Sequence, residues 1–137
     1  MNSFDVLKIS GQALEAQRRR MNVIASNLAN ANSTRTDEGS PYRRQDVVFA
    51  STTVASNPAE LKGVRVADVV SDGTPPRMVH DPGHPDADKD GFVAMPNINS
   101  LEEMVNMMMA LRSYEASVAT FNTAKAMMLK TLELGRV

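Results

Sequence analysis

The chain contains no cysteine and no tryptophan, only 4% of its 137 residues are aromatic, and neither sign of charge dominates. Without cysteine, disulfide frameworks, thiolate-bound zinc and thiol nucleophiles are excluded. With so few rings, the core must be aliphatic, and ten methionines point to adaptable helix contacts. Fifteen basic residues against sixteen acidic ones leave a net charge of -1. Binding to a phosphate backbone is mostly electrostatic, so this balance argues against nucleic acid as the main partner. The longest apolar run, Met107 to Leu111, falls far short of the roughly 20 residues that span a bilayer. The first ten residues carry Asp5 and Lys8 and lack an apolar signal core, so no Sec-type leader is expected.

What is present divides into a helical head (1–30), a polar neck (31–41), a small β-rich middle (42–97) and a helical tail (98–137). The expected class is therefore α+β. In the head, Leu7, Leu14, Met21 and Leu28 recur at steps of seven, with Phe4, Ile24 and Ala25 on or beside the stripe and Ser3 as the expected N-cap. The neck has turn chemistry from Asn30 to Pro41 and no apolar period, so it is expected to be mobile unless held. In the middle, strands are expected over Gln45–Ser51, Val64–Val70, Arg77–His80 and Gly91–Ala94, together making one small sheet. Val47 and Phe49 would share one face, and Val64, Val66 and Asp68 another. Asn57-Pro58, Asp72 to Pro76 and Asp81 to Pro85 mark the turns.

The tail opens on a capping-box pattern, Ser100 to Glu103. Its apolar stripe runs Met104, Met107, Leu111, Tyr114, Val118, Phe121, Lys125, Met128 and Leu132, with Gly135 as the expected C-cap. At 1.5 Å per residue the tail helix would be about 50 Å long and the head helix about 40 Å, longer than a domain of this size. Pairing them buries one seam only. Met108, Met109, Met127 and Leu129 in the tail, and Val6, Ile9 and Val23 in the head, lie partly off it. Exposed apolar area of this kind marks an interaction surface, so copies or relatives of the chain are the expected cover.

No catalytic constellation is visible: there is no nucleophile elbow, no dinucleotide glycine fingerprint and no Walker loop. Asp86, Asp88, Asp90 and Gly91 match the first half of a calcium loop, but Asn97 stands where a bidentate Glu is needed, and Asp81 to Pro85 cannot form an entering helix. An acidic turn is the better reading. His80 and His84 beside these carboxylates have no recognised ligand spacing. No cofactor, metal or small-molecule substrate is expected. Arg18 to Arg20 and Arg43-Arg44 read as solvated helix surface and as ion pairs between subunits. A calcium-regulated or coiled-coil interaction module, and a dimeric helical regulator, are the alternatives to an assembly subunit.

The segment Gln17 to Asn32, with its Ser26-Asn27-Leu28-Ala29-Asn30 core, closely resembles the N-terminal motif of the bacterial flagellar rod and hook proteins. Pro41 to Arg44, His84 to Asp88, Gly91 to Val93, Met95 to Asn99, Glu103 to Val105, Arg112 to Ala116 and Asn122 to Lys125 resemble the proximal-rod members in particular. The resemblance implies a structural subunit of the periplasmic drive shaft, exported through the flagellum's own type III apparatus without a cleavable signal peptide. Its terminal helices would form the coiled-coil layer around the export channel. The implied partners are other proximal and distal rod proteins, the rod-to-ring adaptor and the MS ring, with self-association inside a helical rod. Assembly positions would be Leu7, Leu14, Met21 and Leu28 in the head, and Met104, Leu111, Tyr114, Val118, Phe121, Met128 and Leu132 in the tail. The motif's Asn22, Asn27 and Asn30 would join them. Because an amide both donates and accepts, Asn27 and Asn30 are expected to tie the head helix to a neighbouring helix or to the neck. On this reading Asn27→Leu spares the isolated fold and impairs assembly.

Overall fold

The computed structural model describes residues 3–54 and 61–135. Two helices dominate it: α1 (Ser3–Ala29) and α2 (Ser100–Leu134). Between them lie β1 (Gln45–Thr53), β2 (Lys62–Ser71), β3 (Arg77–His80) and β4 (Phe92–Met95). Ser3 opens α1, with its side chain outside the described residues. The helix closes where Asn30 turns its side-chain amide back onto the Ser26 carbonyl at 2.9 Å. In α2 the cap is Asn99, whose Oδ1 accepts from the amides of Leu101 and Glu102 at 3.1 and 3.4 Å. This corrects the expected Ser100–Glu103 capping box, since the Glu103 carboxylate is buried and engaged elsewhere. At the far end the Gly135 amide donates to the Thr131 carbonyl at 3.1 Å, and its φ of -83° is open to any residue.

The C-terminal end of α1 meets the N-terminal end of α2 at Asn27 and Glu103, and from there the helices run back along each other as an antiparallel pair. On α1 the covered stripe holds Ser10, Gln17 and Ile24 as well as the half-buried Leu7, Leu14, Met21 and Leu28. That is a complete three-four repeat, in which Ser10 and Gln17 are polar and invisible to a search for apolar residues. On α2 the covered stripe runs through Glu103, Met107, Ala110, Tyr114, Val118, Phe121 and Met128. Met104, Leu111 and Leu132, expected in the same seam, are instead exposed. Small Ala110, fully buried, lets the two backbones approach where Leu111 would hold them apart.

The four strands form two separate two-stranded antiparallel sheets, β1–β2 and β3–β4, and not the single sheet expected from sequence. Between them the Asp72 carboxylate binds both the amide and the hydroxyl of Thr74, and Pro75 and Pro76 carry no amide donor with which to continue a ladder. In the long ribbon Gln45 pairs with Ser71 and Thr53 with Lys62, with a bulge after Val48 that leaves Ala67 unopposed. The bulge shifts the alternation by one residue, so Ala50 and Thr52 turn inward while Phe49 faces out, and Val69 takes the place expected of Asp68. The expected Asn57-Pro58 turn lies outside the described residues. The ribbon packs on the face of α1 away from α2. There Gly63 is in close approach: a Cβ would meet Gln12 Oε1 and Val54 Cγ2, so the Gln12 side chain would have to move to admit one.

The neck is held. Tyr42 N donates to Ser33 O at 3.0 Å, Thr36 N to Ser40 O at 2.8 Å, and Ser33 Oγ to Asn30 Oδ1 at 3.0 Å. The acidic turn before β4 secures it from the other side. Asp86 accepts from the Thr34 hydroxyl at 2.8 Å and lies 3.6 Å from the Arg35 guanidinium. Asp88 is likewise spent on the amides of Asp90 and Phe92 at 2.9 and 2.8 Å, and Gly91 (φ 81°) makes the turn into β4. These carboxylates are committed to backbone and neck, which is the work of a strand connection. Val93, 2% exposed, and Pro96 form the small core beneath.

A buried polar junction and an uncovered helix

At the point where α1, the start of β1 and the first turn of α2 converge, the side chain of Asn27 is completely buried. Its Nδ2 donates to the Gln45 carbonyl at 2.8 Å and to Glu103 Oε2 at 3.0 Å. Its Oδ1 accepts from the Gln45 amide at 2.9 Å and from the Tyr42 hydroxyl at 3.2 Å. All four hydrogen-bonding positions of the amide are therefore filled from within the chain. Glu103, 1% exposed, receives Arg44 Nε on its other oxygen at 2.8 Å, and Arg44 reaches on to Asp46 at 3.3 Å. A carboxylate this deep is tolerated because a guanidinium and an amide replace its water and because it sits where the α2 dipole favours negative charge.

The electrostatics follow from this geometry. Burial on its own would lower the Arg44 pKa, but its hydrogen bond and charge pairing with Glu103, and then Asp46, hold it above the ordinary arginine value. Burial first, and the negative Glu103 second, push the Tyr42 phenol above its ordinary 10.0. Arg44, expected in a pair between subunits, thus makes its ion pair inside the chain, and Arg18 pairs with Glu15 of its own helix at 2.7 Å.

The residues expected at assembly contacts separate into three groups. Asn27 has no surface left for a neighbour, and its bonds to the neck side and to α2 are internal. Leu7, Leu14, Met21, Leu28, Asn30, Tyr114, Val118, Phe121 and Met128 are half-buried. Asn22, Met104, Leu111 and Leu132 are exposed. With them on α2 stand Leu101, Val105, Met108, Met109, Met127, Leu129 and Leu134, all more than two-fifths exposed. Among the described residues no strand packs on α2, so one face lies on α1 and these apolar side chains are left exposed. Sequence reasoning missed Tyr42, Arg44 and Glu103 as members of the junction. The available signal was an Asn at the end of an apolar stripe, which must find partners if buried.

Two family models match the chain: one described as flagella basal body rod protein over residues 7–35, the other as the C-terminal part of the flagellar basal body rod FlgEFG proteins over residues 89–134. The first segment holds Asn27 and the second Glu103. Flagellar basal-body rod protein FlgC of Escherichia coli O6:H1 is 51% identical over 136 residues, covering 99% of this chain and 98% of the relative. The Yersinia enterocolitica FlgC is 49% identical over 137 residues, covering 99% and 100%. This chain belongs to the FlgC family of flagellar basal-body rod proteins. The FlgC of Bacillus subtilis, 38% identical over 150 residues and aligned along its full length, extends the family across distant bacteria. FlgC proteins are structural rod subunits without enzymatic activity, which agrees with a site made of packing and hydrogen bonds.

Two outcomes follow from the junction. Asn27→Leu strands the Gln45 amide and carbonyl and one oxygen of Glu103, so the isolated chain should lose on the order of 2–3 kcal/mol in urea unfolding. Asn22→Leu, on the exposed side of α1, should change stability by less than about 0.5 kcal/mol. This replaces the expectation that Asn27→Leu spares the isolated fold. Second, unfolded Tyr42 ionises near 10.0, whereas the folded state keeps the proton to higher pH. The stability this contributes is fully present below that value and is lost as pH rises from there through the folded pKa. Urea midpoints measured at increasing alkaline pH should fall less steeply for Tyr42→Phe than for the unaltered chain.

Proposed function

We propose that this rod subunit serves in the proximal part of the periplasmic drive shaft, where its helix pair joins the layer that encloses the export channel and passes torque to its neighbours. The finer placement rests on the resemblance in Pro41 to Arg44 and His84 to Asp88, and on membership of the FlgC family. The partners are other proximal and distal rod proteins, the rod-to-ring adaptor and the MS ring, along with further copies of the chain. The observation that carries the assembly role is the uncovered length of α2. Its exposed residues include Leu101, Met104, Met108 and Leu111 near one end and Met127, Leu129, Leu132 and Leu134 near the other. Apolar area on this scale is stable in a secreted subunit only when other helices cover it. Many such contacts sharing load would transmit torque without a single catalytic residue.

The test is a bacterium deleted for its own FlgC and supplied with this chain. Met104→Glu combined with Leu111→Glu should leave the unfolding midpoint of the purified chain within experimental error, because both positions are exposed, yet abolish rod formation and swimming. Normal motility with the doubly charged variant would contradict the role assigned to α2.

A further inference from the structure

The chain has ten methionines and no cysteine, so its thioethers are the only sulfur that an oxidant can reach. Six of the ten lie on α2, and the helix sorts them by side. Met104, Met108, Met109 and Met127 are 52%, 59%, 58% and 67% exposed, whereas Met107 and Met128 belong to the stripe covered by α1. At 3.6 residues per turn, Met127 stands about five whole turns beyond Met109 and so on the same line of the helix, and Met104 and Met108 lie one turn apart beside that line. The four open sulfurs thus share an arc of α2 turned away from its contact with α1.

Resting on the assembly role given to α2 above, we propose that these four methionines are a reversible sulfoxidation site, at which hydrogen peroxide switches the open side of α2 from apolar to polar and keeps the unassembled chain out of the rod. The step is a two-electron oxygen transfer. A sulfur lone pair attacks one peroxide oxygen, the S–O bond forms as the O–O bond breaks, and the other oxygen leaves as water, so sulfur is oxidised and peroxide reduced. Reversal takes two thiols of a methionine sulfoxide reductase system, which become a disulfide while the sulfoxide oxygen leaves as water. Each sulfoxide adds a strong acceptor that must lose its hydration when another helix covers it. Four of them on one side oppose association, yet none lies in the contact with α1, so the chain stays folded. Oxidation of Met107 or Met128 would instead place that acceptor in the helix contact itself. Packing in the rod covers the same four sulfurs, so the subunits at risk are those still waiting to assemble.

To test this, the full chain, purified and dilute, is treated with hydrogen peroxide and mapped by peptide mass spectrometry. Met104, Met108, Met109 and Met127 should each gain one oxygen several-fold faster than Met107 and Met128, with the helical circular dichroism retained and the added mass removed by sulfoxide reductases and dithiothreitol. Met78, 55% exposed on β3, is the standard for an open sulfur. In a bacterium deleted for its own FlgC and supplied with this chain, a peroxide challenge should leave sulfoxide at the four positions in unassembled chains and several-fold less of it in isolated rods. Met104→Gln, Met108→Gln, Met109→Gln and Met127→Gln together, which imitate the polar sulfoxide at similar length, should stop swimming, whereas Met78→Gln should not. Equal oxidation of all six α2 methionines, loss of helix on oxidation, sulfoxide equally abundant in rods, or swimming with the fourfold glutamine variant overturns the proposal. The assembly role of α2 is judged apart, by the Met104→Glu and Leu111→Glu pair: if that pair forms no rods while oxidised chains still enter them, the oxidation switch alone fails.

Discussion

One buried carboxylate constrains this molecule more than any apolar contact. Glu103 lies in the first turn of α2 with 1% of its surface exposed, and it is acceptable there only while Arg44 and Asn27 both face it. Those two residues come from the strand entrance and from the end of α1, so satisfying one charge fixes three segments together. Asn27 carries the constraint further, because its carbonyl and amide clamp both backbone groups of Gln45 at the start of β1. The ribbon therefore leaves the helix pair at a set angle. An apolar junction of the same volume could be as stable, but it would tolerate slippage that hydrogen-bond geometry does not.

The rest of the structure divides into what is completed inside the chain and what is left for other chains. The small β units and the neck are finished locally, with Asp86 and Asp88 consumed by side-chain and backbone partners. α2 is not finished. Its inward stripe is built from Glu103, Met107, Ala110 and Tyr114, whereas its leucines and four of its six methionines are exposed. For a rod protein of the FlgC family this fits the proposed role: the internal junction orients a long helix whose apolar surface stays open.

Much of this was legible in the sequence, for identifiable reasons. Both helices and their approximate ends followed from the three-four period of apolar residues, which survives whatever packs on it. The stripe that faces α1 did not, because hydropathy marks residues that will be covered without saying by which partner. Met104 and Leu111 carry the stronger signal and are exposed, while Ala110 and Glu103 carry none and are buried. The strand phase was misread past Val48 because a single unopposed residue, Ala67, shifts the alternation and leaves no mark in composition. The neck looked loose because much of its order comes from Thr34 and Tyr42 bonding to Asp86 and Asn27, groups far along the chain that no local pattern reports. The asparagine motif was legible as important, but Asn27 acts within the chain.

The central claim is that the junction is formed in the single, unassembled chain and holds α1, β1 and α2 as one unit. The Gln45 amide reports on it directly, since its acceptor is Asn27 Oδ1. Its hydrogen exchange should be measured in dilute, monomeric protein alongside the amides of Ile24 and Met107 in the facing helices. If the account holds, all three exchange with the same opening free energy. Exchange of Gln45 at the rate of an open loop, with both helices still protected, would contradict it.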